Sequence, residues 1–203
     1  TGKLNNKDEI INFIKKNKIK CVVDATHPFA EIISNNLNNA CKEITTTLLV
    51  FERKSLINNT NNFNYIDDLK DINKGDLENK NILLAIGSRF LNDTANYYIN
   101  CKANVFTRVL PTYESIIKAF GSCIKNSNIA ILEPSKSEEG ILEKKLCDFW
   151  EIDYVLCRES GSYSQKNWEN IISGSKMKLF LVKRPKLKND YSCSFYQYEN
   201  LID

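Results

Sequence analysis

Short β-branched runs alternate along this chain with amphipathic stretches of helical length, and no other feature constrains its fold as much. The runs Cys21–Asp24, 46–52, 82–86, 105–110, 129–132, 154–157 and Lys178–Val182 read as strands. Between them the apolar spacing predicts helices over 10–16, from Pro28 to about Glu43, over 113–125, from Ser137 to about Trp150 and over 164–172. A weaker helix is predicted over 66–77, after a polar loop at 58–64. Pro28 suits the first turn of its helix, where a missing N–H costs nothing. Ser137 suits a cap, with Glu138 and Glu139 behind it.

Strand and helix alternation of this kind specifies an α/β chain: mostly parallel sheets with helices on both faces. Ten or more elements suggest two Rossmann-like domains, joined near residues 103–110. The expected division is 1–107 and 108–203, with the tail after about residue 186 free to return to the first domain.

Composition removes several functional classes. At 203 residues with 42% hydrophobic and 26% charged content, the chain can bury its own core. No apolar run approaches the ~20 residues of a membrane span, so no membrane partner is expected. A net charge of +3 is too weak for a nucleic-acid stripe, though it suits a small acidic ligand. His27 is the single histidine, and no two of the seven cysteines lie closer than ten residues, so no metal site is expected. The cysteines are expected to be reduced and buried, as in a cytoplasmic protein. The asparagine, lysine and isoleucine enrichment reads as coding bias. The chain begins at Thr1, with Met177 as its only methionine; Thr1 is therefore expected not to be the biological start.

In parallel sheets chemistry gathers at the carboxyl ends of the strands. Three polar tips obey that rule: Asp24-Ala25-Thr26-His27-Pro28, Gly87-Ser88-Arg89 and Glu159-Ser160-Gly161. A serine hydrolase does not fit, because Ser160 lacks the glycine that a nucleophile elbow places two residues earlier. A glycine-rich dinucleotide loop is absent as well, since no two of the seven glycines lie within ten residues of each other.

The run Val22-Val23-Asp24-Ala25-Thr26-His27-Pro28-Phe29-Ala30, followed by Ser34, Asn36, Ala40 and Cys41, resembles the signature of the precorrin-6A reductases, including the cobalt-precorrin-6A reductases. Thr1-Gly2-Lys3-Leu4, Glu52-Arg53, Gly87-Ser88, Arg108-Val109-Leu110-Pro111, Ser160-Gly161 and Arg184-Pro185 follow in family order. The second half departs more. The family's G-P-F-S reads Glu133-Pro134-Ser135-Lys136, its K-[DE]-S-G reads Arg158-Glu159-Ser160-Gly161, and the usual G-G after it reads Ser164-Gln165. The family's opening strand and G-G-T turn are expected before Thr1. The first domain is thus expected to be truncated, its sheet leaving an edge where that strand belongs.

The resemblance implies a nicotinamide-dependent reductase of corrin-ring biosynthesis, using NADPH or NADH on the C18–C19 double bond of precorrin-6A or its cobalt form. Thr26 and His27 are then the candidates for positioning or proton delivery, facing the cleft between domains. Asp24, Ala25, Gly87 and Ser88 are the cofactor candidates. A polycarboxylate tetrapyrrole would be held by Arg53, Arg108, Ser160, Gly161 and Arg184. Arginine placement supports this: Arg53, Arg89, Arg108, Arg158 and Arg184 are the only arginines, and each follows or ends an expected strand. At least one of the others is expected to share a cleft with Arg108. A monomer or weak homo-oligomer is expected. Two alternatives stay open: a catalytically silent module that binds an anionic macrocycle, and an unrelated two-domain α/β enzyme for an acidic metabolite.

Overall fold

The computed structural model describes residues 4–52, 62–134 and 140–185, and the backbone of Cys193–Phe195. The chain divides into two units, residues 1–55 with 184–203, and residues 56–183. The division expected near residue 107 falls instead inside a strand, Asn104–Val109, whose backbone is laddered to Asn81–Ala85. Cutting there would strip one sheet of its hydrogen bonds.

The first unit contains α1 (Lys7–Lys16), β1 (Cys21–Asp24), α2 (Glu31–Glu43), β2 (Thr47–Phe51) and a late strand at Cys193–Phe195. Its parallel sheet has β2 in the middle, between β1 and the late strand. Asn6 starts α1 by accepting the Glu9 N–H at 2.9 Å, while the Glu9 carboxylate reaches back to the Asn5 N–H at 2.9 Å. Ile10, Ile11 and Ile14 of α1 share a core with Ala40, Cys41, Leu48 and Val50. On β1 only Val22 joins that core, while Cys21 and Val23 face outward, as strand alternation requires.

The second unit is one six-stranded parallel sheet. Its elements are β3 (Phe63–Ile66), β4 (Asn81–Ala85), α3 (Leu91–Asn100), β5 (Asn104–Val109), α4 (Tyr113–Phe120), β6 (Ile129–Ile131), α5 (Ile141–Phe149), β7 (Tyr154–Arg158), α6 (Tyr163–Ser173) and β8 (Lys178–Val182); the late strand of the first unit is β9. The order across the sheet is β3-β8-β7-β4-β5-β6. Leu83 of β4 and Val155 and Cys157 of β7 pack with Cys147 of α5 and Trp168, Ile171 and Ile172 of α6. Ile82 and Leu84 are fully buried and alternate to the opposite face, the side left to α3 and α4. Burial on both faces explains why these strands are continuous apolar runs.

Several expectations change. The predicted helix over 66–77 is instead the end of β3, bends and one 3-10 turn at Lys74–Asp76. Its apolar residues are spaced too irregularly for a face. Pro28 lies in a turn before α2, not in its first helical turn; the Ala30 N–H closes that turn on the His27 carbonyl at 2.7 Å. α4 stops at Phe120, and α5 starts after Gly140, while Ser137 lies outside the described residues. Of the cysteines, Cys41, Cys147 and Cys157 are buried, but Cys21 and Cys123 are exposed.

Candidate functional site

The signature residues sit at the carboxyl end of β1. Asp24 is 3% exposed, and its Oδ1 accepts both the Thr26 N–H at 3.0 Å and the Thr26 hydroxyl at 2.7 Å. Thr26 Oγ1 also lies 3.1 Å from Ser34 Oγ on the first turn of α2. The loop is therefore pinned to both the strand before it and the helix after it. Ala25 and His27 are exposed beyond this clamp. The Phe29 N–H donates to His27 Nδ1 at 3.3 Å, which places the proton of the neutral ring on Nε2. A cavity of about 300 Å³ in this unit, lined by Asn38, Lys42 and Thr45–Thr47 among others, lies at the amino end of β2, the opposite end from this loop.

The second unit brings two of the three tips onto neighbouring strands. β4 leads through α3 to β5 on one side, whereas β7 leads through α6 to β8 on the other. That divergence makes a crevice at the carboxyl ends of β4 and β7, where ligands of open α/β sheets bind. Gly87 turns there with φ +77, and Ser88 Oγ lies 3.4 Å from Ser115 Oγ. Across from it, Arg158 Nη2 donates to the Ile86 carbonyl and the guanidinium lies 5.5 Å from the centroid of the Phe90 ring. Burial, reinforced by Arg89, lowers the Arg158 pKa. Neither Phe90 at the start of α3 nor Ser162 at the start of α6 caps its helix through its side chain.

Ser160 is buried, its hydroxyl 2.6 Å from that of Ser162, and Gly161 follows with φ +62. Glu159 is 6% exposed. Arg184 is half-buried just past β8. Arg53 lies outside the described residues.

Arg108 departs from expectation. It is 7% exposed and turned inward, with Nη2 3.3 Å from Glu143 Oε1 of α5. Burial lowers its pKa, against the opposing pull of Glu143. A guanidinium committed in this way is a structural ion pair and does not line an open cleft. Below it, burial pushes the Cys157 thiol up to about 12, too high for a nucleophile at neutral pH. Among the described residues, no group of three or more His, Cys, Asp or Glu could hold a metal, and no helix is long and apolar enough to cross a membrane.

The family described as precorrin-6x reductase CbiJ/CobK matches residues 1–203. The chain belongs to this family. It is similar to the cobalt-precorrin-6A reductase of Methanocaldococcus jannaschii, 30% identical over 97% of this chain and 76% of that protein. It is likewise 30% identical to the cobalt-precorrin-6A reductase of Synechocystis sp., over 76% of this chain but 59% of that protein. In three dimensions it resembles a CobK precorrin-6A reductase structure with a TM-score of 0.79, covering 99% of this chain and 78% of that one. At 18% sequence identity this last likeness speaks for the fold, a mostly parallel α/β arrangement.

Sequence reasoning missed Arg158 as a bridge between β7 and β4, Glu143 as the partner of Arg108, and the side chains behind the Ser160–Gly161 turn. The first and last had a signal. Arg158 ends its strand, and Ser162-Tyr163-Ser164-Gln165 has the serine-to-glutamine spacing of a capping box. Glu143 had none, being 35 residues from Arg108 on another element.

Proposed function

We propose that this chain reduces a precorrin-6A-type macrocycle, with hydride from NADPH or NADH entering at the C18–C19 double bond to give precorrin-6B or its cobalt form. The observation that carries this reading is the family match over the whole chain. The donor set of the second unit fits a nicotinamide cofactor: a left-handed glycine turn, a serine hydroxyl and the uncapped start of α3 suit an anionic pyrophosphate. When bound, the nicotinamide supplies the hydride.

The chain's own residues bind, orient and manage the proton. Gly87 and Ser88 are assigned to the cofactor, with Ala25. Asp24 acts through Thr26, whose hydroxyl it holds in place. His27 carries its neutral-ring proton on Nε2 and is the candidate for proton delivery. Arg53, Arg184 and the Ser160–Gly161 turn are assigned to the macrocycle's carboxylates, while Arg108 holds β5 to α5. The enzyme is read as cytoplasmic, a monomer or weak homo-oligomer.

The test is oxidation of NADH and of NADPH by the full-length protein, with precorrin-6A and with cobalt-precorrin-6A. Nicotinamide absorbance and the macrocycle spectrum should change together in one combination at least. Oxidation in none of the four would overturn the reading.

A further inference from the structure

The Ser160–Gly161 turn is held from behind by two side chains that are not themselves assigned to ligand. Gln165 is 1% exposed, and its Oε1 accepts the Gly161 N–H at 2.8 Å. Its Nε2 donates to Glu169 Oε1 at 2.6 Å, one helical turn further along α6. Glu169 is itself 5% exposed. In an ordinary capping box the third helical residue would return to the N–H of the cap, here Ser162. Gln165 reaches one residue further, as Glu9 does to Asn5 on α1. The Ser162 hydroxyl is meanwhile taken up by Ser160, and the Ser162 N–H lies 3.3 Å from Ser160 Oγ.

The direction of the Gln165 amide matters. An amide can flip, and a flipped Gln165 would turn its NH₂ against the Gly161 N–H and its oxygen against the Glu169 carboxylate. The Gly161 N–H, which only donates, and the ionised Glu169 carboxylate, which only accepts, both disfavour that state. Gln165 thus fixes Gly161, and Glu169 fixes Gln165.

We infer that Gln165 and Glu169 are positioning residues, a two-step relay that sets the Ser160–Gly161 turn for binding the macrocycle. This rests on the reading that the turn meets that substrate. Ground-state and transition-state complexes use the turn alike, so the relay acts on KM for the macrocycle and leaves kcat and the nicotinamide KM in place.

The experiment compares the full-length enzyme with Gln165→Leu, Glu169→Leu, Glu169→Gln, Gln165→Glu and the exchange Gln165→Glu/Glu169→Gln. Kinetics with both substrates are read beside hydrogen exchange at the Gly161 N–H. Gln165→Leu should raise the macrocycle KM about fivefold to tenfold, the factor of one buried hydrogen bond, and speed Gly161 exchange. Glu169→Leu should move both in the same direction. Glu169→Gln should stay near wild type, because an amide oxygen also accepts. Gln165→Glu alone should fail, with two buried carboxylates facing, and the exchange should restore both readouts. The exchange carries the test where Gln165→Leu does not fold. Faster Gly161 exchange in Gln165→Leu with an unchanged macrocycle KM overturns the relay. Ser160→Ala and Gly161→Ala tell the two failures apart: if they shift the macrocycle KM the relay alone is wrong, and if they too are silent the turn is not the macrocycle site.

Discussion

One oxygen of Asp24 holds Thr26 twice, through the backbone N–H at 3.0 Å and the hydroxyl at 2.7 Å. The two bonds answer to different substitutions. Thr26→Val removes the hydroxyl and also the link to Ser34, but leaves the backbone bond. It should cost about 1 kcal/mol, the net worth of an ordinary hydrogen bond. Asp24→Ala removes both and should cost about 1.5–3 kcal/mol, the range for bonds to a charged group. Asp24→Asn, which keeps an acceptor, should fall between wild type and Ala. Urea denaturation of the three variants checks the order. Equal stabilities would mean that the clamp contributes nothing to folding.

His27 stands on that clamp and is exposed, so its replacement should leave stability close to wild type. If it delivers the proton, His27→Ala should lower kcat by about 10²–10⁴, the usual range for general acid catalysis. The measurement is turnover with saturating nicotinamide. Unchanged kcat and KM in His27→Ala and Thr26→Val together would reduce the loop to a structural turn.

How much of this could be read from the sequence depended on whether the relevant partner was local. β1 and β8 were found at their true bounds because each is a short apolar run with polar neighbours on both sides. α3 was overlooked, although Leu91, Ala95 and Tyr98 recur at helical spacing and are fully buried; the asparagines between them hid the face. β3 was lost in an asparagine-rich stretch, and what makes it a strand is pairing with β8, more than 110 residues later. The signature loop was legible as a strand-end turn, but its anchor, Asp24 to Thr26, was not distinguishable from a ligand contact. The pairing of Arg108 with Glu143 was hidden for the same reason. A strand-end arginine looks alike whether it points at a ligand or into the sheet, and Glu143 alone decides.

That pair gives the third prediction. Arg108 and Glu143 are 7% and 1% exposed, and Arg108 Nε and Glu143 Oε2 make no hydrogen bond among the described residues. Desolvation is therefore only partly offset. Arg108→Met should destabilise by about 3–5 kcal/mol because it strands a buried carboxylate. The double change Arg108→Met/Glu143→Leu should recover most of that loss, since a packed apolar pair is often as stable as a buried ion pair. Chemical denaturation of the two variants provides the comparison. A double variant as unstable as the single one would show that the charges themselves hold β5 to α5.

Glu169 supplies a pH dependence. Burial raises its pKa above the usual carboxylate value, and Glu159 pushes the same way while the Gln165 bond opposes. Cys157, the other titratable group coupled to it, stays protonated through this range. Between the unfolded and the raised folded pKa, the folded state holds more proton than the unfolded one, so stability falls as pH rises through that window. Below the window and above it the contribution is flat. Glu169→Gln should remove this decline. Melting temperatures of wild type and variant from pH 4 to pH 8 should diverge as pH rises, with the variant higher; parallel curves would remove Glu169 as the source.

Two of the three left-handed glycines among the described residues differ in the space around them. Gly87 and Gly140 have φ of +77 and +81. A Cβ at Gly87 would meet Arg158 Nη2 at 3.8 Å, an ordinary contact with the end of a long side chain. A Cβ at Gly140 would sit 2.9 Å from Ile171 Cδ1 and 3.2 Å from Asn167 Cβ, where α5 starts against α6. Gly87→Ala should therefore cost only the backbone strain, about 1–2 kcal/mol. Gly140→Ala should cost that strain and a further 1–3 kcal/mol or so of overpacking. Ile171 can yield by a rotamer change, but Asn167 Cβ is fixed by its helix, so the contact cannot relax without moving α5. Denaturation midpoints of the two variants, measured side by side, decide it. A Gly140→Ala loss no greater than that of Gly87→Ala would mean that α5 shifts freely on α6.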